Sequence, residues 1–344
     1  MTIDLRLSPT SRDGTRRRGG AVAALAAFAL MAGVAAADAQ TLRLGHHHAV
    51  GGSVDRAANK LAELVAERSG GALTIDVFPA AQLGQELEAF QLVDQGAIDM
   101  SITSLGLMDQ YYPPMAVTSL PFLITSWELA ETLFEGEFGE TLAAGLRGVT
   151  DVQLLGYMHL GFRDMLFRGD PVTAAGGMQG LRMRSPESLV WIRMFELLGS
   201  RPTPVTWGEV YTAMQTGVAD GLESPPMAAR DMRFNEVTTA LVKTGHMFGS
   251  MAITINADSL DRLSAEHQEL LRQAAFDAAR YHNDEISKPG EQAAYEALAS
   301  GGMTVLEPED ISAWAEKVRP LWDEIAQVRP GTAAYIEMIL SAND

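Results

Sequence analysis

Between residues 41 and 103 the apolar residues change period at each turn signal, and few folds accept that switching. Residues 41–45 alternate as a short strand. Apolar residues at 54, 57, 58, 61, 64 and 65 have helical spacing, and Gly70-Gly71 stops that helix. Leu73, Ile75 and Val77 alternate with Thr74 and Asp76, which predicts a strand closed by Pro79. A helix is expected over 85–95, ended by Gly96, and a strand over 98–103. Strand and helix in this rhythm mean an α/β fold with a largely parallel sheet.

The rhythm returns further on. Strands are expected at 152–157, 163–167, 181–184 and 251–256, and helices at 187–198 and 207–216. Ser264 caps a long helix predicted to reach about residue 286, where Pro289-Gly290 break or kink it. Another helix covers 312–327, split or kinked at Pro320. No linker of low complexity separates the two runs, so the chain is expected to cross between two lobes more than once.

The N-terminus reads differently. Arg16-Arg17-Arg18 precede an uncharged run over 21–37, and Ala37-Asp38-Ala39 forms a small-residue cleavage pattern. These are the three parts of a secretory signal. The run is short and mostly alanine for crossing about 30 Å of hydrocarbon. Cleavage after Ala39 is expected to release residues 40–344 outside the cytoplasm.

Composition narrows the function. The chain has 344 residues, with 26 Lys+Arg against 44 Asp+Glu and a formal charge of −18, so it is a poor partner for nucleic acid. It has no cysteine, which removes thiol nucleophiles, disulfides and Cys-ligated metals. No nucleophile elbow, zincin, P-loop, dinucleotide or EF-hand motif occurs. His46-His47-His48 invites a metal reading, but adjacent residues of an extended segment point to alternate faces, so a loop lining a cleft, or equally a plain surface loop, fits better. Neither a metal nor a cofactor is expected.

Positive charge gathers locally. Residues 157–207 hold six arginines against Asp164, Asp170, Glu187 and Glu196. In the strand LRMR, Leu181 and Met183 face one way and Arg182 and Arg184 the other. Arg184 ends that strand, and ligands of open α/β sheets bind outside the carboxyl ends of strands. Its planar fork suits a carboxylate.

Three segments carry a resemblance. They are GGALTIDVFPAAQLGQELEAFQLVDQGAIDM (70–100), PVTAAGGMQGLRMRSPES (171–188) and LLGSRPTPVTWGEVYTAMQTGVADGLESPP (197–226). Together they resemble the solute-binding proteins of TRAP transporters, the tripartite ATP-independent periplasmic carriers. The likeness runs over about 41–290, and its third segment is long and specific.

The resemblance implies a periplasmic-binding-protein-like fold of type II. Two α/β lobes flank a cleft, joined by hinge strands and spanned by a long helix. Lobe I would comprise 40–160 with 249–288, and lobe II 161–248 with 289–344. It implies closure on a small organic anion and delivery to a membrane permease, by a monomer without catalytic activity. Arg184 falls where the family clamps a carboxylate, and Arg163 where it has a second arginine. Ser224 replaces the family asparagine, which shortens the side chain there. Glu86 and Trp207 fall on positions that often contact ligand or wall the pocket, and His47 stands for the histidine run at the cleft. A ligand-sensing subunit for a signalling kinase would share this fold and pocket. A periplasmic enzyme using Glu86 with a histidine as acid and base is a further alternative.

Overall fold

The computed structural model describes residues 40–343, so the expected signal segment lies outside the described residues. Nine strands form one sheet in the order β2-β1-β3-β8-β4-β7-β5-β6, with β9 also paired to β8. The strands are β1 Gln40–Gly45, β2 Leu73–Phe78, β3 Met100–Ser104, β4 Val152–Phe167, β5 Arg182–Ser185, β6 Arg201–Pro204, β7 Gly221–Ser224, β8 Ala240–Asn256 and β9 Thr304–Leu306.

The first strands and helices form where the periodicity places them. The Ser53–Arg68 helix buries Val54, Ala57, Ala58, Leu61 and Val65, the face that its spacing predicts. That face meets Leu42, Leu44, Leu73 and Ile75 of β1 and β2 in one apolar core. Fully burying each of the larger aliphatic chains contributes about 1.5–3 kcal/mol. A separate core gathers Leu166, Val210, Met214, Leu222, Phe234 and Leu241 around the other end of the sheet.

The sheet is mixed rather than largely parallel. β1 runs parallel to β2 and β3, and β5 runs parallel to β6 and β7. Between these two parallel blocks lie β4 and β8, antiparallel to each other along nearly their whole length. β4 is a single strand where two were expected, because the segment between them is also extended. β8 begins eleven residues before its expected start at 251. Both strands are buried on two faces, so neither shows the alternation that marks a half-buried strand.

Register shifts interrupt their pairing after Leu154, His159 and Arg163. Gly161 stands inside this region at φ +84°, where a Cβ would come within 2.9 Å of the Trp127 ring. Only glycine meets both demands without strain.

The C-terminal half brings a second correction. The Ala265–Arg280 helix passes through a wider π-type turn at Tyr281–Ser287 and continues as Lys288–Ser300. Pro289 therefore does not end the helix. The change of hydrogen-bond register before it removes the partner that its missing N–H would have needed. The resulting long helix packs Leu271, Ala274, Ala275 and Ala278 into the first core and Leu298 into the other. Pro320 does split its segment, into Ile311–Val318 and Pro320–Val328. None of the described helices is long and apolar enough to cross a membrane.

Candidate functional site

The two parallel blocks send their carboxyl ends into one cavity. His47 and His48 follow β1, Ser104 ends β3, Arg184 lies one residue before the end of β5, and Pro225 follows β7. The helix after β2 adds its first residue Glu86, the short helical turn after β6 adds Trp207, and Arg163 comes from the C-terminal half of β4. The space they line spans about 420 Å³ and a neighbouring recess that shares Glu86, Arg184 and Trp207 spans about 710 Å³, each counted with its open mouth. Five of the six expected residues thus line one space, at the strand ends where α/β sheets bind ligands. Ser224 does not line it. Its side chain is fully buried and its Oγ donates to the Pro225 carbonyl at 3.1 Å.

The two arginines differ in a way their positions in the chain do not announce. Arg184 is 3% exposed, and its Nε donates to the Val205 carbonyl at 2.9 Å. No carboxylate lies within 4 Å of its guanidinium among the described residues. The group stacks 5.5 Å from the Trp207 ring. Burial pulls its pKa down to about 10, Glu223 opposes that shift, and Arg163 adds to it. It stays charged at neutral pH. Arg182, two residues earlier, is instead exposed and ion-paired with Asp220, its Nε 3.0 Å from Oδ2. The shared face of the strand buries only the arginine at its carboxyl end.

Arg163 is held by Glu223. Its Nε and Nη2 both donate to that carboxylate, Nη2 to Oε1 at 2.7 Å. Trp191 Nε1 donates to the same Oε1 at 2.9 Å, and the Arg163 guanidinium lies 5.7 Å from the Trp191 ring. Glu223 is completely buried. Burial pushes its pKa up, but the charge and hydrogen bonds of Arg163 outweigh that and hold the carboxyl well below its usual range. Sequence reasoning missed Glu223, because the four residues GLES of β7 are all buried and carry no period.

On the opposite wall, Glu88 Oε2 accepts from the Gln85 backbone at 3.2 Å and so caps the Glu86–Asp94 helix. Glu86 is therefore free to turn inward. Its Oε1 accepts from Ser104 N at 2.6 Å, and its Oε2 lies 3.3 Å from His47 Nε2. His47 Nδ1 and Trp207 Nε1 are buried with no partner among the described residues. His46 turns away and pairs with Asp55 at 3.1 Å, whereas the neighbours His47 and His48 both line the cavity with ring centroids 4.4 Å apart, so the run does not follow the strict alternation of an extended segment. Among the described residues no group of three acidic or histidine side chains is arranged to hold a metal.

Six of the seven histidines are buried, and burial lowers each of their pKa values. His46 and His282 fall to about 4 and His159 to about 3. These rings are neutral in the fold and take up protons when the chain unfolds below pH 6.5. The folded form therefore gains from them above about pH 6.5 and loses that gain as pH falls towards 4. Urea melts at pH 7, 6 and 5 should show the midpoint dropping at each step. A midpoint that stays level to pH 5 would contradict this account of the histidines.

Comparison with known proteins gives three consistent results. The family model described as bacterial extracellular solute-binding protein, family 7, matches residues 44–328. A C4-dicarboxylate-binding periplasmic protein of Rhodobacter capsulatus is 30% identical over 325 residues, 91% of this chain and 95% of the relative. A 2,3-diketo-L-gulonate-binding periplasmic protein of Escherichia coli is 29% identical over 295 residues, 86% of this chain and 88% of the relative. Among solved structures, a TRAP periplasmic solute-binding protein of Chromohalobacter salexigens with bound D-glucuronate superposes with a TM-score of 0.84. It is 27% identical, and the match covers 88% of this chain and 99% of the other.

Proposed function

The chain belongs to family 7 of the bacterial extracellular solute-binding proteins, and on that footing we propose that it is the receptor of a TRAP transporter for a small organic acid. The observation that carries this reading is Arg184, a buried guanidinium on the wall of the cavity with no acidic partner among the described residues. A buried charge in that state gains strongly from an incoming carboxylate, and its planar fork can hold one through two parallel bonds.

In this reading Arg184 grips the carboxylate, while Arg163, Glu86, Trp207 and His47 line the space around it. Ser224 acts indirectly, by fixing Pro225 at the rim. Lobe I comprises 40–160 and 249–288, and lobe II comprises 161–248 and 289–344. These boundaries cross β4 at Gly161 and β8 near Gly249, which pair with each other in the sheet. Bending at these two strands closes the cleft, and a membrane permease receives the ligand from the closed form. The protein reaches the periplasm by cleavage after Ala39 and works as a monomer without catalysis.

A thermal-shift screen tests the reading. A ligand that binds only the native state stabilises it by about 2.7 kcal/mol at a hundred times its dissociation constant. Organic acids should raise the melting temperature by several degrees, and neutral sugars and amino acids should not. A rise with uncharged compounds alone would overturn the role of Arg184.

A further inference from the structure

The Ser53–Arg68 helix begins without a cap of its own. Gly52 stands at the capping position and has no side chain to offer, so the first N–H groups of the helix need partners from elsewhere. Asp55, in the first turn, is already engaged: its carboxylate meets Gly51 N at 2.8 Å and the His46 ring at 3.1 Å. The Ser53 N–H donates instead to Asp231 Oδ2 at 2.8 Å, between residues 178 positions apart in the chain.

Asp231 is held in place for this bond. It ends the Pro226–Asp231 helix, and Arg230 Nε and Nη2 both donate to its Oδ1, at 3.0 and 2.7 Å. That leaves Oδ2 to face Ser53. A negative charge at the N-terminus of a helix also meets the positive end of its dipole. The fit is close, since a Cβ on Gly52 would lie 3.0 Å from Asp231 Oδ2.

The bond joins the two lobes assigned above, with Ser53 in lobe I and Asp231 in lobe II. It also borders the cavity from both sides. His47 and His48 line the cavity shortly before Ser53, and Pro225 and Ala228 line it shortly before Asp231. Opening the cleft separates these walls and breaks the bond, and closure remakes it.

We propose that Asp231 latches the closed cleft: its carboxylate supplies, from lobe II, the cap that the Ser53–Arg68 helix of lobe I lacks. The proposal rests on the two-lobed binding reading given above. A latch acts on the balance of open and closed forms and not on the ligand. Apparent affinity scales with the fraction of protein in the binding-competent form. Loss of the latch therefore weakens every ligand by the same factor, which separates Asp231 from a residue that touches the ligand.

Calorimetry with D-glucuronate, L-galactonate and succinate reads that factor. Asp231→Ala should weaken each acid that binds the wild type by one common factor of about 2- to 30-fold, the range of a lost helix cap. The ligand-free melting temperature should stay level. A loss confined to one acid overturns the latch. So does a ligand-free melting temperature well below the wild type, because a bond that persists in the empty protein belongs to the fold. A second test needs no ligand. The chain has no cysteine, and a Cβ at position 52 would lie 3.4 Å from the Cβ of Asp231. Disulfides span about 3.5–4.5 Å between these atoms. The double variant Gly52→Cys, Asp231→Cys, oxidised with diamide, should crosslink and show a smaller radius of gyration by X-ray scattering than its reduced, empty form. Failure to crosslink, or an unchanged radius, overturns the latch. If the crosslink compacts the protein while none of the acids binds the wild type, the latch stands and the organic-acid reading fails. If the acids bind and Asp231→Ala holds them as tightly as the wild type, the organic-acid reading stands and the latch fails.

Discussion

Arg184→Met is expected to weaken binding of an organic acid by roughly 30- to 4,000-fold while leaving the ligand-free protein at least as stable as the wild type. The first half follows from truncating one partner of a buried charge pair, which costs about 2–5 kcal/mol, at about 1.4 kcal/mol per tenfold. The second follows from what Arg184 lacks. Its guanidinium is held by one hydrogen bond, from Nε to the Val205 carbonyl, and by the face of Trp207. No carboxylate pairs with it directly, Glu223 and Glu86 offset the cost of burying it only in part, and burial pulls its pKa down. Methionine fills similar space without that cost. Calorimetry with a binding acid and thermal melts without it would check both halves. A variant that binds as tightly as the wild type would remove Arg184 from the site. A variant that melts well below the wild type would show that the arginine is structural instead.

The same substitution at the other arginine should act in the opposite sense on stability. Arg163→Met leaves Glu223 buried with only Trp191 Nε1 and a neutral His246 beside it. Breaking a buried pair by removing one partner costs about 3–5 kcal/mol. At about 2–4 °C per kcal/mol for a chain of this size class, the melting temperature should fall by roughly 10 °C at pH 7. The loss should narrow at lower pH. Without Arg163 the Glu223 carboxyl returns upward under burial, and a proton on it or on His246 relieves the stranded charge. Calorimetric melts at pH 7 and pH 5.5 would show this, and equal melting temperatures for variant and wild type at pH 7 would contradict the buried pair. The two arginines look alike in the sequence, and they separate in these two measurements.

What the sequence discloses follows the kind of burial involved. β1, β2 and the helix between them lie half-buried, so apolar and polar residues alternate with a period that can be read. Arg184 was legible from its place at the end of the alternating LRMR just before Ser185-Pro186, although three of the four residues of β5 are buried. β4 and β8 were only partly legible because both faces are covered, and a strand buried on two faces has no alternation to show. The continuation of the long helix past Pro289 was hidden in a change of hydrogen-bond register that no residue marks. Glu223 was hidden for a further reason. It lies sixty residues from Arg163 in the chain, and β7 brings it there by pairing Glu223 with Met165 of β4. A buried ion pair is a property of two distant positions, and neither one carries it alone. The resemblance placed Ser224, the neighbour of Glu223, at the cavity, where the structure instead turns its hydroxyl to the backbone.

The two long strands also fix an order of events for a newly made chain. β3 pairs with β8 through Ile102 and Ile253, and β4 pairs with β8 from Val152 opposite Asn256 to Phe167 opposite Ala240. A chain that has emerged only to residue 230 holds most of both cores, yet β3 and β4 then lack the strand that joins them. Such exposed edges invite wrong pairings, and contacts this distant in sequence form slowly. The architecture therefore delays the joining of the two parallel blocks until about three-quarters of the chain is available. If the expected signal segment directs export as an extended thread, lateness of this kind is useful: the chain stays threadable while it crosses and gains its native edges on the far side.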